Sequence, residues 1–151
     1  MAIRDQLKIR TQTMSEQLTT WKEQYRSKEF ANGSTAMCAL ISAADGSIDS
    51  TERRKTAALI ASNDVLAFFP PAELQQKFDG YCDKLSKDYD FGKVEAIATI
   101  GKLKAKPDQA RAAISIGVII GAADGDFDAD ERQAVKEACF AVGIAPSEFD
   151  L

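Results

Sequence analysis

Residues 43–53, Ala-Ala-Asp-Gly-Ser-Ile-Asp-Ser-Thr-Glu-Arg, return at residues 122–132 as Ala-Ala-Asp-Gly-Asp-Phe-Asp-Ala-Asp-Glu-Arg, with seven of eleven positions identical at an offset of 79. The likeness extends upstream, where Met37, Leu40 and Ile41 fall on Ile116, Ile119 and Ile120. Downstream it reaches Pro71-Ala72-Glu73 against Pro146-Ser147-Glu148. The recurring unit is therefore helix, acidic turn, helix and a proline-led helix start, covering about residues 30–86 and 108–151. Each unit alone exposes an apolar face, so the two are expected to pack together about an approximate two-fold axis within a single domain spanning 1–151.

Each copy has its own local logic. Asp45 or Asp124 closes one helix, and Gly46 or Gly125 supplies the left-handed backbone that reverses the chain. Ile48 or Phe127 turns back into the core. Asp49 or Asp128 then caps the next helix by accepting backbone N–H bonds, and Glu52 or Glu131 at its third position completes a capping box. Capping accounts for every repeated residue except the first aspartate.

The remaining sequence reads as helices throughout, about seven in all. Leu7, Met14, Leu18, Trp21 and Tyr25 make an amphipathic stripe over residues 5–27, and the small and apolar residues of 28–44 predict a helix buried on most sides, with Gly33 a break or a close-packing point. A helix is expected over 49–62, another from Pro70-Pro71 with Phe78, Cys82 and Leu85 inward, and a polar turn over 86–92. The next helix is expected to turn Val94, Ile97, Ala98, Ile100 and Leu103 inward, with Lys102, Lys104 and Lys106 complementing its C-terminal dipole. A helix from Pro107-Asp108 to Ala123, another from Asp128 to Val142 ended by Gly143, and a terminal turn at Pro146 complete an all-α fold. No alternating run suggests a sheet.

Composition narrows the chemistry. The chain of 151 residues has no histidine, which removes imidazole bases, Ser-His and Cys-His nucleophile pairs and every His-containing zinc site. Its three cysteines, Cys38, Cys82 and Cys139, are widely spaced and form no Cys-x-x-Cys pair; with an N-terminus lacking an apolar signal region they imply a reducing, cytoplasmic setting. The formal charge is −4, and residues 43–151 carry nineteen acidic against thirteen basic side chains, so nucleic acid is not an expected partner. The apolar run 112–123 is too short to span a bilayer, and direct membrane insertion is not expected.

The acidic turns suit a hard divalent cation, calcium first, because they offer only oxygen ligands: Asp45, Asp49 and Glu52 in one copy, Asp124, Asp128 and Glu131 in the other. Asp126 and Asp130 thicken the second cluster, which is expected to bind the ion more tightly. Neither turn is an EF-hand. Counted from Asp124, the sixth and twelfth positions are Ala129 and Val135; counted from Asp45 they are Ser50 and Thr56. An EF-hand needs glycine and a bidentate glutamate there.

The segment from Phe30-Ala31-Asn32-Gly33 through Met37-Cys38-Ala39-Leu40-Ile41-Ser42-Ala43-Ala44-Asp45-Gly46-Ser47-Ile48-Asp49-Ser50-Thr51-Glu52-Arg53, with its second copy, closely resembles the tellurite-resistance protein TerB family over nearly the whole chain. The resemblance implies an all-helical, non-enzymatic domain of bacterial tellurium resistance whose acidic positions bind divalent metal. It also implies a membrane-embedded TerC-type partner at the inner face of the cytoplasmic membrane, together with other tellurium-resistance proteins. Carried over by position, the motif residues are Asp45, Asp49, Glu52, Asp124, Asp128 and Glu131; Asp126 and Asp130 lie outside it.

Two function classes follow. A binding module would use the turns to hold a cation or a partner. A small hydrolase-type enzyme would instead pair carboxylates as acid and base, which calls for a carboxylate in a desolvated cleft. Whether the two turns converge, and on what, separates the classes. Reduction of an oxyanion by the chain itself is not expected, since no redox motif is present.

Overall fold

A computed structural model describes residues 27–46, 48–121, 123 and 127–151. The expected helix over 5–27 lies outside them except for Ser27, as do Asp124, Gly125 and Asp126 of the second turn. Six α-helices follow in order: α1 (Lys28–Ser42), α2 (Ser50–Ala61), α3 (Pro71–Lys87), α4 (Tyr89–Gly101), α5 (Pro107–Gly121) and α6 (Ala129–Val142). A short 3-10 turn, Pro146–Phe149, comes last, and no strand occurs among the described residues.

Helix α1 is the axle of the bundle. Ser27 caps it by accepting the Phe30 N–H at 3.2 Å, and it is buried almost all round from Phe30 to Ile41. All five other helices touch it, α5 most extensively. The small residues of α5 permit that approach: a Cβ on Gly117 would sit 2.7 Å from Met37 Cβ, and one on Gly121 would sit 2.7 Å from Ile41 Cγ2. Gly33 is a close-packing point and not a break, because a Cβ there would meet Leu103 Cδ1 at 2.7 Å, with the Ala113 methyl at 3.9 Å. Residues 33, 37 and 41 thus face 113, 117 and 121, so α1 and α5 run side by side in parallel.

The connection between α3 and α4 departs from expectation. In place of a polar turn over 86–92, the single residue Asp88 ends α3 and caps α4, accepting the Phe91 N–H at 3.2 Å. The tight joint is possible because Gly92 lies against the backbone of Leu85, where a Cβ would be 2.8 Å away. That contact sets which face of α4 is buried: Gly92, Ala96 and Ile100 turn inward, with Leu103 beyond the helix end. Val94, expected inward, is 65% exposed, and Ala98 is exposed as well. Lys102 caps the C-terminus of α4 while Lys104 and Lys106 follow it, leaving no basic residue in the last helical turn. Any dipole effect of these two lysines is therefore small.

All three cysteines are buried. Burial pushes the thiols of Cys82 and Cys139 up to about 12 and raises that of Cys38 further still. No helix among the described residues is long and apolar enough to cross a membrane.

Candidate functional site

The ends of the helices that flank the two acidic turns meet. With α1 and α5 parallel, the C-terminal ends of both helices and the N-terminal ends of α2 and α6 come together around one open cleft of about 500 Å³. Asp45 and Glu52 of the first copy and Asp128 and Glu131 of the second line it. Ile41, Ile48, Leu59 and Ile120 supply apolar wall, and Lys55 is its basic member. Neither α1 nor α5 has a basic residue in its last turn, so their negative ends are not offset by a side-chain cation there.

The first turn is built from its own sequence. Helix α1 ends at Ser42, three residues before Asp45, and Gly46 takes φ 97°, the left-handed region that a Cβ would disfavour. Ile48 packs partly buried against the core. Asp49 caps α2, its carboxylate accepting the Glu52 N–H at 2.7 Å. That bond chiefly holds the Asp49 carboxyl below the usual aspartate range. Glu52 moves the opposite way: a hydrogen bond between its carboxyl and that of Asp49 raises its affinity for a proton, helped by burial and by the charge of Asp49.

In the second turn, Phe127 is buried and Asp128 caps α6. The capping box is closed both ways, with the Glu131 N–H donating to Asp128 at 2.9 Å and the Asp128 N–H donating to the Glu131 carboxylate at 3.1 Å. Glu131 is only 9% exposed. Four residues of the anticipated site therefore line one cleft. Asp49 caps α2 and is not among the residues lining the cleft, and Asp124 lies outside the described residues.

Sequence reasoning missed the part of α2 that faces this cleft. Glu52, Lys55, Thr56 and Leu59 follow at helical spacing and all line it. The signal was present, since continuing from Glu52 by steps of three and four selects the same residues. Helix α2 buries only Thr56 and Ile60, and Leu59 remains 40% exposed. Arg53 leaves the cleft to bind Asp83 on α3 at 2.7 Å, which fixes α2 to the body of the bundle.

The donor set fits a hard cation chemically, being oxygen only. Among the described residues, however, no three acidic or cysteine side chains are grouped closely enough to share an ion. Glu131 and Asp128 are also engaged in capping. An ion held by the described residues would therefore keep much of its water.

Similarity to known proteins agrees with the resemblance in the sequence. The family described as tellurite resistance protein TerB matches residues 31–151. The tellurium resistance protein TerB of an Alcaligenes species is 30% identical over 118 residues, covering 78% of this chain and 97% of that protein. No solved structure matches the chain. With the family match covering the helical bundle and both acidic turns, the chain belongs to the tellurite-resistance TerB family.

Proposed function

We propose that this chain serves tellurium resistance as a non-enzymatic binding protein, and that its ligand at the shared cleft is a divalent cation, calcium first. One observation carries the reading: carboxylates from turns some eighty residues apart in sequence line a single cleft. The C-terminal ends of α1 and α5 favour a cation while the N-terminal ends of α2 and α6 at the same cleft oppose it, so the carboxylates carry the attraction. With no closed cage among the described side chains, affinity belongs on the order of 10⁻⁵ to 10⁻³ M. Asp126 and Asp130, which have no acidic counterpart in the first turn, are expected to make the second turn the stronger contributor.

A calcium titration followed by amide NMR shifts tests this. Saturable shifts are expected on both sides of the cleft, with Asp126→Asn/Asp130→Asn weakening the response more than Asp45→Asn. No saturable response below a few millimolar would defeat the cation reading.

The apolar wall favours a second ligand class at the same place, a protein partner, for which the resemblance suggests a membrane-embedded TerC-type protein and other tellurium-resistance proteins. A hydrolase-type reaction is favoured less. The raised Glu52 carboxyl owes its shift first to Asp49, and both groups are exposed, whereas a catalytic acid is usually raised by a desolvated pocket. We further propose that the two units arose by duplication and retain a two-fold relation, in keeping with the parallel packing of α1 on α5.

A further inference from the structure

The cleft has more apolar wall than a hydrated ion can use. Leu59 is 40% exposed on one side, Ile48 is partly buried, and Ile41 and Ile120 lie at its base. Against these stand Asp45, Glu52 and Asp128, with Lys55 as the one basic lining residue among the described residues. The cleft also contains Ser42, whose hydroxyl oxygen is buried without a hydrogen-bond partner. Such an orphaned group commonly awaits one from a ligand or from water. A volume of about 500 Å³ suits the side chains of a short segment.

We propose that the cleft seats a partner-protein segment carrying an aliphatic side chain flanked by Lys or Arg, the aliphatic group packing on Leu59 and Ile48 and the cations pairing with Asp45, Glu52 and Asp128. This rests on the reading of the cleft as a binding surface and names the chemistry of the partner. Charge complementarity selects that occupant. An anionic headgroup or a nucleic acid would meet the acidic rim with like charge, and so would a second copy docked through this same face. Lys and Arg suit the mixed lining because their methylene stems cover apolar surface while the charged head reaches the rim.

The probe is a short synthetic helical peptide with leucine at one face and lysine elsewhere, titrated into the full chain and followed by methyl and amide NMR. Saturable shifts at Ile48, Thr56 and Leu59 are expected. Leu59→Ser should weaken binding about ten-fold or more, as for a central apolar anchor. Asp45→Asn/Glu52→Gln should weaken it as well and reduce its salt dependence. A peptide with alanine in place of leucine should lose most of the affinity; equal binding would overturn the proposal, leaving only unspecific charge attraction.

Two other occupants have distinct signatures. A peptide that enters only when Lys8 and Arg10 are replaced by glutamate would assign the cleft to the chain's own first residues. Concentration-dependent shifts at the same methyls without peptide would assign it to a second copy. Either result overturns the proposal. The calcium response should survive in Leu59→Ser, so loss of peptide binding and loss of cation binding are separate failures.

Discussion

Asp49 and Glu52, three residues apart at the start of α2, compete for a proton on unequal terms. The Asp49 carboxyl is depressed in the folded chain, so its stabilising contribution is present above its unfolded pKa and is lost as pH falls through its folded value. Glu52 is raised, so its contribution is present below its unfolded pKa and is lost as pH rises through its folded value. In a carbon-detected carboxyl titration Asp49 should therefore show a midpoint below the ordinary aspartate value, and Glu52 one above the ordinary glutamate value. Saturating calcium should draw the Glu52 midpoint down, and Asp49→Asn should return it toward normal. The opposite order of midpoints would refute the geometry of this turn. In the second turn the closed box predicts that Asp128→Ala lowers stability by about 0.5–2 kcal/mol in urea denaturation. Asp45 is the cap of neither α1 nor α2, so Asp45→Asn should cost less stability than Asp128→Ala while weakening cation binding; an equal or larger loss would mark it as structural.

Helices α1 and α5 hold the two turns at one end of the molecule, and their separation depends on α5 carrying no side chain at Gly117. Gly117→Ala places a methyl on Met37 and should cost about 1–3 kcal/mol by overpacking, measured as a lowered denaturant midpoint at unchanged slope. An unchanged midpoint would mean that Met37 yields freely. The same contact explains what could and could not be read from sequence. Caps at Asp49 and Asp128, the left-handed Gly46 and the Gly143 stop are local devices, written within a few residues of where they act. The cleft is not local, for it exists only because residues near 41 and 121 approach across the bundle, and a glycine in an apolar run does not announce its neighbour. Val94 faces outward for a related reason: its helix is oriented by the contact of Gly92 with Leu85, which puts Ala96 and Ile100, four and eight residues on, on the inner face. The joint at Asp88 was hidden because a polar, turn-rich stretch is also a good place for one helix to cap the next.

Across the whole molecule, the parallel pair of α1 and α5 makes one face out of two distant stretches of chain, and a retained two-fold relation should appear as matched behaviour of the two units. Amide hydrogen exchange is expected to slow in parallel along the facing positions 37–41 and 117–121; strong protection in one helix alone would count against equivalent units. The three thiols add a consequence of another kind. Each is enclosed by the bundle and held protonated, and oxidation of a thiol depends on both its ionisation and its accessibility. Alkylation of the native chain should accordingly be slow at all three positions and accelerate in the denaturant range where the helices come apart. Fast labelling of any one in native buffer would point to a local opening. Oxidants that need an exposed, ionised thiol would thus react slowly at these cysteines for as long as the helices stay packed.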